Sequence, residues 1–458
     1  MEKPGLPSGT RDFGPETMKQ RKYILTVMQQ VFESHGFGAL ETPALENLKT
    51  LQGKYGDEGD QLLFKVLNSG DFLSKVEDSL LHERNSRAVV SSIADRGLRY
   101  DLTVPLARFV VMNRDKINFP FKRYQMQPVW RADRPQKGRY REFWQCDIDV
   151  VGANSIVSEA ELIEMYQEVF EALNLGVAIR INHRGILDAF VPMAGSLEAW
   201  QQFMVVIDKA DKIGSAGVVK ELEERGLKAT VEAWNFLEST QALGSNREKI
   251  AALEMFANGV EVLEYRSRLE QGIKDIQRIL ALVSNSNNVW LDVSLARGLS
   301  YYTGTVMEVV VADEKVASDF KIGSIGGGGR YDNLTGMFGL KDVSGVGVSF
   351  GLDRIFDVLL AANLLPSAHK DQLESYLLCA MDENSLNYAY SLCKVLRKQG
   401  KQIELYPGTP KLKKQLDYAN QRNFGFAIIV GESEVQQNAY VVKNLVTGDQ
   451  ETHKYPNS

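Results

Sequence analysis

Residues 121–150 constrain the fold more than any other part of the chain, and they read FKRYQMQPVWRADRPQKGRYREFWQCDIDV. Five arginines and two lysines lie in this segment, although the whole chain has a net charge of −6. The pattern predicts two antiparallel strands joined by a polar loop around Pro135. Such a hairpin would hold Arg131, Arg139 and Arg141 over one sheet face, where planar guanidinium groups can bind phosphate oxygens through paired N–H groups. The segment therefore favours polyanion binding, with a solvated surface hairpin as the alternative.

Length and composition set limits on the class of protein. A chain of 458 residues exceeds the size of one hydrophobic core, so two or three domains are expected. A hydrophobic share of 44% and a charged share of 24% are ordinary for a soluble globular protein. The negative net charge argues against a protein that coats nucleic acid without specificity, so local basic patches would have to bind any RNA.

Cysteine and histidine spacing indicates neither a disulfide framework nor a metal site. Cys146, Cys379 and Cys393 are odd in number and widely spaced, with no C-x-x-C pair. The five histidines show no metal-binding spacing. No apolar run approaches the roughly 20 residues that span a bilayer, and the N-terminal sequence shows no apolar core of a signal peptide. The cytoplasm is the expected location.

Periodicity along the chain predicts its organisation. Apolar residues at helical spacing predict an amphipathic helix over residues 17–35 that ends at Gly36. Ser158 and Glu161 form the pattern of a capping box at the start of a second helix. Charged helical segments then fill the chain from about 187 to 286, and solvated helix faces account for their charges without any function.

The C-terminal part begins after a boundary at residues 361–375. Beyond it, apolar strands such as YLLCAM and FAIIV alternate with two amphipathic helices. Strand and helix alternation predicts an α/β domain with parallel strand pairing, and about 85 residues suffice for one small domain.

Three further segments narrow the interpretation. They are RYDLTVPLAR at 99–108, ARGLSYYTGTV at 296–306 and GVGVSFGLDRI at 345–355. Together with residues 121–150 they resemble the motifs of class II aminoacyl-tRNA synthetases, and specifically the histidyl-tRNA synthetase family. The likeness extends from GLPSGTRDFGPE at 5–16 to KLKKQLDYANQRNFGFAIIVGESE at 411–434. Ser300 departs from the family pattern, which usually has Asp or Asn there.

The resemblance implies a fold and an activity. The fold is an α+β catalytic domain over residues 1–365, built on the antiparallel class II synthetase sheet with a helical insertion at about 187–286. A C-terminal α/β anticodon-binding domain covers 372–458. The activity is ATP-dependent formation of histidyl-adenylate, followed by transfer of histidine to the 3′ end of tRNA(His). Residues 37–47 resemble the family's dimer-forming motif, so a homodimer is implied.

The implied catalytic residues are arginines, because charge builds on the ATP α-phosphate during activation. By the resemblance, Arg131 bridges the amino acid carboxylate and the α-phosphate, and Arg354 holds the γ-phosphate. Arg297 stands where other synthetases place a metal or another group at the α-phosphate. ATP would be used with Mg²⁺, and further ATP contacts are implied for Arg139 and for the adenine-binding residues Glu142 and Phe143.

The implied histidine-binding residues supply acceptors for an ammonium group and for both ring nitrogens. Asp101, Thr103 and Gln145 would receive the α-amino group, Asp149 and Tyr302 the imidazole, with Tyr301 and Tyr331 closing a pocket that Arg131 and Arg297 share. The residues alone favour a turn or cap role for Asp101 and ordinary strand packing for Tyr301 and Tyr302. The alternative for Arg354 is an exposed helix arginine paired to Asp353 or Asp357.

The remaining matches concern glycines and tRNA. Glycines 326–329 permit close backbone approach to a ligand or to a neighbouring strand, and the resemblance supports the ligand. Arg134 and Gln136 match residues that meet the extra 5′ guanosine of histidine tRNA. Basic residues of the C-terminal domain are further tRNA candidates or a salt-bridged surface: Lys411, Lys413, Lys414 and Arg422.

Two other kinds of protein share these features. The regulatory subunit of ATP phosphoribosyltransferase has the same catalytic fold without an anticodon domain, so residues 372–458 and the intact Arg131, Arg297 and Arg354 argue against it. An interaction module derived from a synthetase would keep the fold without binding ATP.

Overall fold

The computed structural model describes residues 3–54, 56–74, 76–296, 302–313, 323–333, 335–366 and 375–456. The chain separates into two compact units, residues 1–13 with 21–364 and residues 14–20 with 365–458. Within the described ranges, no helix has the length and apolar character needed to cross a membrane.

Eleven strands precede residue 365 in the described ranges. They are β1 (Gly38–Ala39), β2 (Leu45–Asn47), β3 (Lys65–Val66), β4 (Arg96–Leu98), β5 (Phe121–Trp130), β6 (Glu142–Val151), β7 (Val177–His183), β8 (Val289–Leu291), β9 (Thr305–Val311), β10 (Gly326–Arg330) and β11 (Gly345–Gly351). Eight of them form one sheet in the order β1-β5-β6-β11-β10-β9-β7-β8, and β2, β4 and β3 form a small second sheet. The five central pairings of the large sheet are antiparallel, and its two outermost pairings are parallel.

The helices before residue 365 surround these sheets. They are α1 (Pro15–Ser34), α2 (Leu48–Leu51), α3 (Gly56–Gln61), α4 (Asp78–His82), α5 (Ser86–Ile93), α6 (Thr103–Met112), α7 (Val157–Ala172), α8 (Arg184–Asp188), α9 (Val191–Ala194), α10 (Leu197–Ile207), α11 (Ala210–Glu224), α12 (Val231–Gln241), α13 (Asn246–Ala257), α14 (Leu263–Leu282) and α15 (Leu352–Ala361). The predicted amphipathic helix is confirmed as α1, whose Ile24, Met28 and Phe32 are buried.

One prediction about a helix start is wrong. Helix α7 begins at Val157, its N-cap is Ile156, and no side chain caps it. Ser158 is buried inside the first turn, and the Glu161 carboxylate instead accepts from Lys122 Nζ at 2.6 Å. A contact with strand β5 has thus replaced the local capping pattern.

The predicted helical insertion is confirmed, since α8 to α14 occupy residues 184–282. Aromatic packing holds these helices together: the ring centroids of Phe190 and Phe256 lie 4.7 Å apart, and those of Phe236 and Phe256 lie 4.5 Å apart. The core of the insertion is therefore apolar, and its charged side chains lie mainly on the outside.

The second unit is an α/β layer. Its elements are β12 (Tyr376–Ala380), α16 (Glu383–Lys398), β13 (Ile403–Leu405), α17 (Leu412–Gln421), β14 (Phe426–Val430), α18 (Glu432–Gln436), β15 (Ala439–Asn444) and β16 (Gln450–Lys454). Strands β13, β12 and β14 pair in parallel, as predicted. An antiparallel extension, β14-β15-β16, was not predicted. With the antiparallel sheet and the insertion, this unit confirms the predicted fold class.

Candidate active site

A cavity of about 760 Å³ lies over one face of the large sheet. Its floor follows from strand register, because residues opposite each other on neighbouring strands point to the same face. Asp147 of β6 lies opposite Gln125 on β5 and opposite Ser349 on β11, and Ser349 in turn lies opposite Gly327 on β10. The floor is therefore polar on the central strands, which is unusual for the face of a sheet.

A buried ion pair closes one end of the floor. Arg123 and Asp149 are opposite each other across β5 and β6, and Arg123 Nη2 lies 2.7 Å from Asp149 Oδ2. The Tyr331 hydroxyl donates to the other carboxylate oxygen of Asp149. Burial raises the pKa of Asp149, whereas Arg123 and the Tyr331 hydrogen bond oppose the rise. A fixed carboxylate in this position suits recognition of an N–H group.

Asp147 lies between Gln145 and Asp149 on the same face of β6. Burial raises its pKa to about 7, with Arg123 opposing and the charge of Asp149 adding to the rise. The Gln145 side chain donates to Ser349 Oγ at 2.9 Å and to Asp147 at 3.4 Å. Asp147 therefore changes its charge near neutral pH, unlike an ordinary aspartate.

The start of helix α6 adds a third carboxylate. Asp101 is buried and lines the cavity, and its Oδ1 accepts from the backbone N–H of Val104 at 3.1 Å. Leu102 is the N-cap of α6, and the Asp101 side chain instead binds an N–H group of the first turn from the residue before it, while also lining the cavity. Thr103 and Tyr302 line the same cavity.

Arg131 connects the carboxylate end to the basic loop. Its Nε donates to the carbonyl oxygen of Tyr100 at 3.0 Å, and its Nη2 to Gln145 at 3.4 Å. The guanidinium lies 4.3 Å from the Tyr100 ring centroid and 5.2 Å from that of Phe143. Two aromatic rings and a carbonyl therefore hold its plane in place.

Arg354, in the first turn of α15, lies at the other end. Its Nε donates to the carbonyl oxygen of Gly138 at 2.9 Å, and its Nη1 to that of Ser324 at 2.7 Å. The carboxylates considered as its partners from sequence, Asp353 and Asp357, both pair with Arg11. Arg139 pairs with Asp133 at 2.6 Å and is 45% exposed.

The glycine run forms strand β10 and is buried. A Cβ on Gly328 would clash with the carbonyl oxygen of Gly347, and one on Gly326 would lie 2.9 Å from the Tyr166 ring. Gly326 and Gly327 also line the cavity. Close approach to a neighbouring strand is therefore confirmed for the run, whereas approach to a ligand stays a prediction for Gly326 and Gly327.

The remaining residues predicted to bind substrates or tRNA differ in whether they line the cavity. Glu142 is exposed, and its carboxylate accepts from Trp130 Nε1 at 3.1 Å rather than lining the cavity. Gln136 lines the cavity, whereas Arg134 is an exposed residue of the same loop. Arg297 and Tyr301 fall outside the described residues.

In the second unit, Lys411, Lys413 and Lys414 are exposed at the start of α17, and Arg422 lies 3.8 Å from Glu404.

Sequence reasoning missed Arg123 and Asp147. The signal was present, because a hairpin with Arg123 opposite Asp149 places opposite charges in register, and Asp147 shares their face by alternation. Basic residues of this segment favoured phosphate binding or a solvated surface, whereas Arg123 neutralises a buried carboxylate.

Two family models match the chain. One, described as "Histidyl-tRNA synthetase", matches residues 84–355, and the other, described as "Anticodon binding domain", matches residues 370–457.

Curated relatives match over nearly the full length. The histidine–tRNA ligase of Cytophaga hutchinsonii is 47% identical, with 98% of this chain and 97% of the relative covered. That of Phocaeicola vulgatus is also 47% identical, covering 98% and 96%.

Solved structures of related proteins are similar to this chain over most of its length. The crystal structure of histidyl-tRNA synthetase from Nostoc sp. PCC 7120 has a TM-score of 0.77 at 29% identity, covering 99% of this chain and 97% of the other. A structure titled ATP phosphoribosyltransferase regulatory subunit/histidyl-tRNA synthetase, from Bacillus halodurans, has a TM-score of 0.70 and covers 93% and 98%. At 20% identity the second likeness shows the fold alone.

Proposed function

We propose how individual residues of this chain, which belongs to the histidyl-tRNA synthetase family, perform the reaction of that family. The chain is a class II synthetase that activates L-histidine with ATP to histidyl-adenylate and pyrophosphate, then transfers histidine to tRNA(His). The observation that carries the residue assignments is the cavity, with buried carboxylates at one end and arginines at the other. The full-length relatives favour this ligase over the regulatory-subunit alternative.

The carboxylate end binds histidine. Asp101, Thr103 and Gln145 receive the ammonium group, and Asp149 with Tyr302 binds the imidazole, with Tyr301 and Tyr331 as neighbours. An apolar isostere of histidine would desolvate these polar groups without forming the hydrogen bonds that histidine makes, so the site should reject it strongly. The Arg123–Asp149 pair fixes one acceptor before the substrate arrives, so little reorganisation accompanies binding.

The arginine end binds ATP. Arg131 aligns the histidine carboxylate with the α-phosphate, and its aromatic neighbours keep the guanidinium in one plane. Arg354 binds the γ-phosphate by exchanging its carbonyl acceptors for phosphate oxygens. Phe143 and Arg139 flank the nucleotide, and Arg297 stabilises charge on the α-phosphate. Glu142 would have to leave its Trp130 partner in order to bind adenine.

ATP enters as its magnesium complex, with phosphate oxygens and water as the usual Mg²⁺ ligands. Among the described residues, no cluster of three or more His, Cys, Asp and Glu side chains could hold a metal ion. The arginines supply the positive charge that the protein itself brings to the phosphates.

The two units have different functions in this proposal. We assign activation to residues 1–365 and anticodon recognition to 372–458, which the anticodon-binding family model matches. Lys411, Lys413 and Lys414 are exposed cations suited to tRNA phosphates, and Arg134 with Gln136 would contact the 5′ end of the tRNA. We further propose a cytoplasmic homodimer, in which residues 37–47 contribute to the interface.

Pyrophosphate exchange with ATP, tried against all twenty amino acids, tests the activity. We expect exchange with histidine alone. Exchange with another amino acid at a comparable rate, or none with histidine, would overturn the assignment.

Deletion of residues 372–458 tests the division of work. Exchange should stay within about 3-fold of the full chain, while aminoacylation falls steeply and the lost tRNA binding is the salt-sensitive part. Loss of exchange together with charging, in a truncated protein that still folds, would contradict this division.

A further inference from the structure

The N-terminal segment packs against the basic loop and helix α15, at the arginine end of the cavity. Residues 8–13, which we call the N-terminal clamp, contact both the β5–β6 loop and the first turn of α15. The backbone N–H of Arg141 donates to the carbonyl oxygen of Gly9 at 2.8 Å. Gly9 has a φ of +84°, and a Cβ there would lie 2.9 Å from Cγ of Arg141. Only glycine permits this approach without strain.

Arg11 is the centre of the clamp. Its Nη2 lies 2.5 Å from Asp353 Oδ1, and its Nη1 lies 3.1 Å from Asp357 Oδ1. Both carboxylates belong to the first two turns of α15, so one guanidinium spans a full helical turn. The Arg11 guanidinium also lies 3.5 Å from the ring centroid of Tyr140, a residue of the basic loop.

Tyr140 completes a closed set of contacts. Its hydroxyl donates to Asp357 Oδ2 at 2.7 Å, and burial together with this hydrogen bond raises the pKa of Tyr140 to about 12. Asp353 is buried and also accepts from Arg21 at 2.7 Å and from the backbone N–H of Trp144 at 2.7 Å. The clamp, the loop and the helix therefore share two carboxylates, which makes their relative positions interdependent.

Arg354 lies inside this set of contacts. It is adjacent in sequence to Asp353, and its Nε donates to the carbonyl oxygen of Gly138, two residues before Tyr140. A shift of the loop relative to α15 would thus move the acceptor that orients Arg354. Since a misplaced binding group lowers reaction rates sharply, such a shift would weaken any function that depends on the position of Arg354.

We propose that Arg11 and Tyr140 are positioning residues for ATP, holding the basic loop on α15 so that Arg354 is aimed at the triphosphate before ATP binds. This inference rests on the proposed function for the role of Arg354. Among the described residues of the carboxylate end, none contacts Arg11 or Tyr140, so the effect should fall on ATP and leave histidine binding unchanged.

The test is histidine-dependent pyrophosphate exchange in the full chain. Arg11→Ala should raise KM for ATP roughly 10-fold or more, because two charge-assisted contacts are lost, and leave KM for histidine within about 2-fold. Tyr140→Phe keeps the ring and loses one hydrogen bond, so its effect should be smaller and of the same kind. Arg278→Ala removes an exposed arginine of α14 and serves as the control.

A second measurement, limited proteolysis, does not depend on catalytic activity. Trypsin should cleave after the exposed Lys137 roughly 10-fold faster in Arg11→Ala than in the wild type, since the loop opens more readily. Unchanged ATP KM and unchanged cleavage would overturn the proposal, as would equal losses for ATP and histidine, which indicate general destabilisation. A wild-type chain without exchange would refute the function instead, and the cleavage rates would still decide whether the clamp exists.

Discussion

The two ends of the cavity hold their charges in different ways. At the carboxylate end, proposed to bind histidine, Asp149 is buried and fixed by Arg123 within the sheet itself. At the arginine end, proposed to bind ATP, Arg354 and Arg131 are half-buried and donate to carbonyl oxygens. A buried ion pair is costly to break, whereas a carbonyl acceptor is readily exchanged for a phosphate oxygen. This difference supports the proposal that the carboxylate end selects histidine and that the arginine end binds and releases a highly charged nucleotide.

Breaking the buried pair should have the largest effect. Arg123→Met would leave Asp149 buried without its cation, which costs about 3–5 kcal/mol of stability in comparable cases. Urea unfolding measures this loss. Lys122→Met is the matched control, because the Lys122–Glu161 pair is partly exposed and should be worth about 0–1 kcal/mol. Similar losses for both variants would show that burial does not distinguish the two pairs.

Removing a charge at the ATP end should affect the rate more than the stability. Arg297→Ala should lower single-turnover adenylate formation roughly 100-fold or more, the effect of losing one preorganised charge donor. Urea unfolding should show a smaller loss of stability for this variant than for Arg123→Met. A near-wild-type rate in the folded variant would remove Arg297 from the catalytic set.

The pH dependence of stability and of histidine binding at Asp147 tests the comparison further. Its pKa is raised from an ordinary 3.8 to about 7, so the folded state keeps a proton that the unfolded state releases. Its contribution to stability therefore falls as pH rises from about 4 to 7. Asp147→Asn should remove this fall in stability. Because Asp147 lines the cavity beside Gln145, its negative charge should also strengthen binding of the histidine ammonium group, and Asp147→Asn should abolish that gain. Unfolding curves and histidine titrations at pH 5, 6, 7 and 8 measure both, and parallel profiles for the two proteins would exclude the titration of Asp147.

Sequence reasoning predicted the parts of this molecule that follow a simple period. Strand β6 and helix α1 were predictable because their apolar residues recur at strand and helix spacing. Strand β16 was not, because all of its residues are exposed and an edge strand needs no apolar face. The capping box at Ser158 failed because Glu161 has a stronger partner in Lys122, which lies far away in the sequence.

The residues of the candidate site also differ in whether a local sequence pattern predicts them. Arg131 and Arg354 were found through local motifs, and both line the cavity. Arg123 and Asp147 were missed because charged residues are rarely expected in a sheet interior, although alternation along the predicted hairpin places both on one face. Motifs thus located the groups proposed to meet the nucleotide, whereas the supports of the proposed histidine pocket follow from the register of paired strands.

Calorimetric titration of histidine and of ATP into Asp149→Ala and Arg354→Ala tests the separation of the two ends most directly. Asp149→Ala should weaken histidine binding roughly 10-fold or more and leave ATP binding nearly unchanged, since a charged hydrogen-bond acceptor is lost at one end only. Arg354→Ala should show the reverse. If each variant loses affinity for both ligands equally while remaining folded, the two ends do not act separately and the account is wrong.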